Sequence, residues 1–205
     1  LRGTAIGLSS QPQVPPADLE LTATGRNQDL KVEGALSTPD FPPAKLQAVT
    51  RWTPEMWAED PATVRRAPLD AGLRIDNLNL ASLQSFLPGF RRLGGRLQAA
   101  VTATGTLGEP VPTARLTVDE AELEFENPRV PRIADGRVRL TADEQAVRLE
   151  TLRADVAAGS IDARGELGLD GWLPSRVDLR LDARDFPAIR DDSMIVRLDA
   201  GLTLR

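Results

Sequence analysis

The 205-residue chain contains no cysteine, no histidine and no tyrosine, and aromatic residues make up only 4% of it. Each absence removes a class of chemistry. Without imidazole or thiolate there is no ordinary general base, no sulfur nucleophile and no usual zinc or iron–sulfur ligand set, which leaves carboxylates, hydroxyls, lysine and arginine. The expectation is a protein that is not an enzyme and uses neither cofactor nor metal. With so few rings, the buried surface has to be built from Leu, Val and Ala. No run of about eighteen apolar residues is present, so no membrane-spanning helix is expected. Basic residues do not gather either. The formal net charge is -5 and no run of arginine exceeds two, the pI is near 4.9, and together these argue against a nucleic-acid footprint. The chain opens Leu1-Arg2-Gly3 with neither an initiator Met nor a charged-then-apolar leader, and it reads as a fragment of a longer protein.

What is present is alternation. From Arg176 to Arg184, Val177, Leu179, Leu181 and Ala183 fall on one face and Asp178, Arg180, Asp182 and Arg184 on the other, the period-two pattern of a half-buried strand. Leu97, Ala99, Val101, Ala103 and Leu107 repeat it, opposite Gln98, Thr102, Thr104 and Thr106. Further strands are read at Leu19/Leu21/Ala23, Leu30/Val32, Leu69/Ala71/Leu73/Ile75, Leu116/Val118, Leu123/Phe125 and Val138/Leu140. Others follow at Val147/Leu149, Ile161/Ala163/Leu167/Leu169 and Val196/Leu198/Ala200/Leu202/Leu204, roughly twelve strands in all. The expected fold is all-β. The charged faces are expected to form cross-strand pairs of opposite sign.

Two phase slips interrupt the alternation, at Asp119-Glu120 between Val118 and Ala121 and at Glu150-Thr151 between Leu149 and Leu152. A one-residue slip sends every later side chain to the other face unless a bulge or turn absorbs it, and a turn is the expectation at both. A short helix is expected from an Asn79 cap to Pro88-Gly89, with Leu80, Leu83, Phe86, Leu87 and Phe90 at helical spacing. A turn of helix is expected in the Trp52 to Pro68 excursion, which holds Met56 and Trp57. Pro39, Pro42 and Pro43, like Pro12, Pro15 and Pro16, are read as loops.

A coarser repeat underlies the strands. Gly34-Ala35-Leu36, Gly105-Thr106-Leu107 and Gly165-Glu166-Leu167 recur, each followed by a proline at Pro39, Pro110 or Pro174, which points to an elongated array of units. The string GGRLQAAVTATGTLGEPVPTARLTVDEAELEF from Gly94 to Phe125 carries further detail. It is followed by IADGRVRL from Ile133 and VRLETLRADVAAGSIDARGELGL from Val147. This succession resembles the TamB family of translocation and assembly module proteins, within the AsmA-like group. The likeness covers residues 69–205, with Gly159-Ser160-Ile161 and Gly165-Glu166-Leu167 matching its second half. Residues 1–68 share only the strand pattern.

The resemblance implies an elongated, curved sheet, an open taco-like groove of antiparallel or mixed strands with one or two short helices. It further implies a periplasmic place, an inner-membrane anchor outside this fragment, and partnership with an outer-membrane assembly barrel of the TamA class. The ligand it implies is a phospholipid or another acyl-chain lipid, conducted between the membranes. The aliphatic faces then become groove wall: Leu73, Ile75, Leu97, Ala99, Val101, Ala103, Leu116, Val118, Leu123, Phe125, Val138, Leu140, Val147, Leu149, Ile161, Ala163, Leu167, Val177, Leu179, Leu181, Val196 and Leu198. Leu80, Leu83, Phe86 and Leu87 become a groove lip, or a cap over exposed apolar surface. The rival is a structural or adhesive β-repeat whose apolar face packs on itself, and an open face against two stacked sheets separates the two readings. The acidic run Asp119, Glu120, Glu122, Glu124 and Glu126 lacks the spacing of a calcium loop and reads as the solvent face of a strand.

Overall fold

The computed structural model describes residues 18–26, 28–39, 41–51, 53, 58, 60–157, 159–171, 173–190 and 195–204. Trp52, Pro54, Met56 and Trp57, and Pro12, Pro15 and Pro16, lie outside the described residues, as do the side chains of Val196 and Leu198. The fold is all-β. Eleven strands are described: β1 Asp18–Arg26, β2 Asp29–Thr38, β3 Phe41–Arg51, β4 Leu69–Asn79, β5 Phe90–Gly105, β6 Pro110–Phe125, β7 Ile133–Ala142, β8 Ala146–Val156, β9 Gly159–Asp170, β10 Leu173–Arg190 and β11 Ile195–Leu204. They form one sheet in which spatial order equals chain order. Most neighbours are reached by short turns, and the β3 to β4 and β4 to β5 connections are the two longer ones. The sheet is open, with β1 and β11 at its edges.

Two short helices interrupt the meander. Helix α1, Pro61–Arg65, begins at Asp60, whose Oδ1 accepts from the Ala62 N–H at 2.9 Å, with proline in its first turn. A 3₁₀ helix, Leu80–Phe86, is capped by Asn79, whose Oδ1 accepts from the Ala81 N–H at 3.0 Å. The cap is where the sequence places it; the helix is tighter and shorter than the leucine spacing alone implies.

Three local expectations are corrected. Both phase slips are bulges within continuous strands, not turns. Glu120 sits inside β6 with φ 54°, and the β8 register jumps between Leu149/Gly165 and Leu152/Ala163. Neighbouring strands hold both sides of each slip in the ladder, so one extra residue costs less than a chain reversal. Pro42 and Pro43 are not loop residues; they stand at the start of β3, where a missing donor is tolerated. Strand β3 itself, alternating Ala44, Leu46 and Ala48 with Lys45 and Gln47, was hidden by those prolines.

By internal packing the chain divides into two compact units, Leu1–Asp76 with Ala99–Ala114 and Asn77–Gln98 with Arg115–Arg205. In the second unit Leu80, Leu93 and Ala121 form a buried cluster, joined by Leu83, Phe90, Leu97, Val118 and Leu123. Elsewhere the described buried hydrophobics are mostly alanines, and Val156 alone is below 2% exposed. No buried polar or charged residue occurs among the described residues.

Candidate functional site

The strand registers sort the side chains onto two faces. In the first unit Leu19, Leu21 and Ala23 of β1 pair with Leu36, Gly34 and Val32 of β2, and the latter with Ala44, Leu46 and Ala48 of β3. Leu46, Ala48 and Thr50 in turn oppose Leu73, Ala71 and Leu69 of β4. Directly opposed residues project to the same side, so four strands contribute one aliphatic face, and alternation adds Ile75. The Thr102 hydroxyl of β5 and the Thr113 hydroxyl of β6 share a 2.7 Å hydrogen bond on the polar side, which leaves Ala99, Val101 and Ala103 of β5 on the other.

The second unit repeats the arrangement. Val138 and Leu140 oppose Leu152 and Leu149; Val147, Leu149, Leu152 and Ala154 oppose Leu167, Gly165, Ala163 and Ile161. These oppose Val177, Leu179, Leu181 and Ala183, of which Leu181 and Ala183 face Leu202 and Ala200 of β11. The strand face that alternation finds in each segment is therefore continuous across β7 to β10. Leu152, Ala154 and Val156 belong to it as well, and their signal was the same alternation, resumed in shifted phase after Glu150-Thr151.

The face is not covered by a second layer. Leu73 and Val101 are each 41% exposed, Val177 37% and Leu202 57%. Among the described residues no second sheet is present, which is the element a self-packed core requires. One stretch is covered. The 3₁₀ helix lays Leu80 and Leu83 against Leu93, Leu97, Val118, Ala121 and Leu123. Phe125, whose ring stacks on Phe90 at 5.1 Å, closes that end of β6. Phe86 and Leu87 remain exposed. Leu116 is half-buried and continues the alternation to Val118.

Glycines in this face let neighbours lie flat. A Cβ on Gly165 would run into the Asp178 carbonyl and the Leu179 side chain, and one on Gly34 would meet Leu21. Both glycines of the Gly-x-Leu motif thus sit in mid-strand with a leucine on each side, Leu149 and Leu179 around Gly165 and Leu21 and Leu46 around Gly34. The third, Gly105, ends β5 at φ 99° instead.

The opposite face is charged and mostly paired. The acidic run of β6 meets arginines: Arg96 Nη2 lies 2.6 Å from Glu120 Oε1, Arg132 Nη2 2.9 Å from Glu122 Oε2, and Arg91 Nη1 3.2 Å from Glu124 Oε1. Among the described residues no group of carboxylates is placed to hold a metal ion. Arg148 donates to Asp143 at 2.6 Å and to Glu166 at 3.1 Å. That bond to Arg148, then the Gln145 and Ala146 N–H groups, holds the Asp143 carboxyl below the usual range, and Asp143 in turn raises Arg148. Glu33 is likewise lowered, first by its hydrogen bond from Lys31 and then by Gln47. Across β9 and β10 the expected opposite-sign pairing fails. Asp162 faces Asp182, Arg164 faces Arg180 and Glu166 faces Asp178. Asp162 and Glu166 pair instead with Arg153 and Arg148 of β8, at 2.7 and 3.1 Å, and Arg180 with Asp182 of its own strand at 3.1 Å.

Comparison with known protein families, with curated proteins and with solved structures gave no match to this chain.

Proposed function

We propose that this chain is a TamB-like segment of a periplasmic bridge, non-enzymatic, whose aliphatic face receives the acyl chains of phospholipid or a similar lipid. The observation that carries the reading is the face itself: Leu, Val, Ile and Ala from consecutive strands stand in register on one side of a single sheet and remain partly open to solvent. An aliphatic surface of that extent in water has to be offset by a ligand or partner. Smooth branched side chains without pockets suit a ligand that slides. Transfer of a sixteen-carbon chain onto such a face is favourable by about 13 kcal/mol at full burial, at roughly 0.8 kcal/mol per methylene. In the intact protein the segment works between an inner-membrane anchor and an outer-membrane barrel of the TamA class, supporting outer-membrane biogenesis.

The test is chemical. The chain purified without detergent is examined by native mass spectrometry and lipid extraction, and photocrosslinkers are placed at Val101 and Leu179. Co-purifying acyl lipid and crosslinks at both positions are expected. A lipid-free chain whose crosslinkers never capture lipid in cells overturns the reading.

A further inference from the structure

The 3₁₀ helix covers part of the face that the proposed function assigns to lipid. Leu80 is buried to 8% exposure in a cluster with Leu93 and Ala121, and Leu83, Leu97, Val118 and Leu123 pack against that cluster. The sheet is shaped to receive this helix. Ala121 lies between two glycines: a Cβ on Gly95 would stand 2.9 Å from the Ala121 Cα, and one on Gly136 2.8 Å from the Ala121 Cβ. Three small residues on neighbouring strands leave a low seat. Backbone bends gather there too, with positive φ at Asn77, Gly95, Glu120 and Asp135 of β4, β5, β6 and β7 in turn.

The attachment is slight. A seven-residue 3₁₀ helix has no stability of its own. The Asn79 cap closes its first turn, and the Gln84 side-chain amide ties it to β5 by donating to the Arg91 carbonyl at 2.8 Å. Beyond it, Gly89 has φ 96° and open space where a Cβ would be, and its carbonyl accepts from the Glu126 N–H at 2.9 Å, so the helix is hinged on a fixed point at the start of β5. Two leucine side chains present about half the carbons of a palmitoyl chain, so an acyl chain that takes their place buries more only by running on over the neighbouring aliphatic surface.

We infer that the helix is a displaceable occupant of the aliphatic face: lipid reaches Leu97, Val118 and Leu123 only when Leu80 and Leu83 lift from the Gly95, Ala121, Gly136 seat. The helix gates that stretch, while Val177, 37% exposed, and the half-buried Leu179 and Leu181 lie outside the cluster that the helix covers. This rests on the lipid reading of the face, and the experiment separates the two.

The chain is mixed with diazirine-bearing palmitate and illuminated, and labelled positions are mapped by mass spectrometry. In the wild type, label falls on Val177, Leu179 and Leu181 and is scarce on Leu97, Val118 and Leu123. The Leu80→Ser/Leu83→Ser double variant raises label on the latter three by about a hundredfold, the factor expected from losing two apolar anchors. Asn79→Ala/Gln84→Ala, which touches only exposed polar ties, raises it by about fivefold, and serves if the first variant loses its β circular-dichroism signal. Equal label on both groups in the wild type, or no rise in a folded variant, overturns the gate and leaves the lipid reading standing. Absence of label from Val177, Leu179 and Leu181 as well overturns the lipid reading and the gate with it.

Discussion

Leu149 and Leu152 project to the same face of β8 although three residues separate them, because Leu149 pairs with Gly165 and Leu152 with Ala163, only two residues apart on β9. The extra residue is absorbed at Glu150-Thr151, where the Glu150 carboxylate accepts from the Thr141 hydroxyl at 3.2 Å. Strand β7 registers the same slip, with Leu140 opposite Leu149 and Arg139 opposite Thr151.

Deleting Glu150 is therefore expected to remove the bulge and leave Val147 and Leu149 on the aliphatic face, because Leu149 and Leu152 then stand two residues apart like their partners Gly165 and Ala163. The deletion gives up the 3.2 Å hydrogen bond from Thr141 to Glu150 and keeps the aliphatic contacts, which predicts a change of no more than about 1 kcal/mol. Urea unfolding followed by circular dichroism measures it; a large fall in the midpoint shows that β8 needs the extra residue.

Glycine positions are expected to split by surroundings. Gly165→Ala forces a methyl group onto the Asp178 carbonyl and the Leu179 side chain, and overpacking of this kind costs about 1–3 kcal/mol. Gly25, in edge strand β1, has nothing within 4 Å of the place a methyl group would take, so Gly25→Ala is neutral or stabilising by about 0.5 kcal/mol. Thermal unfolding of both variants side by side checks the contrast.

Thr50 stands on the aliphatic face between Leu30 of β2 and Leu69 of β4, and its buried hydroxyl has no hydrogen-bond partner. Replacing it by the isosteric Val removes an unsatisfied group without changing volume. Thr50→Val is expected to stabilise by about 1 kcal/mol, read from the denaturation midpoint.

Asp143 organises the β7 to β8 turn. Its Oδ1 accepts from the Gln145 and Ala146 N–H groups, each at 2.9 Å, and its Oδ2 from Arg148. Because its folded pKa is depressed, its ionised form favours the folded state. That contribution is fully present above the ordinary Asp range and is lost as pH falls through the depressed folded value. Asp143→Asn keeps an acceptor for the turn amides but not the charge. The variant's melting temperature is expected to vary less with pH through the acid range than that of the wild type; parallel curves would dismiss the charge as the cause.

Most of the strand content was legible in the residues alone, because side chains on a strand alternate with period two and Val177 to Ala183 or Leu97 to Ala103 declare that period without help from any neighbour. The aliphatic character of one face followed directly. The helix cap at Asn79 was equally local, a side-chain oxygen two residues from the N–H it receives. Long-range register decided the rest. Asp119-Glu120 and Glu150-Thr151 suit a turn as well as a bulge, and only the ladders on both sides hold the strand straight through them. Whether Arg164 meets an acid or Arg180 depends on which residue of β10 stands opposite. That Leu80 finds a seat at Ala121 depends on Gly95 and Gly136, which lie on two other strands and become its neighbours only when the sheet forms.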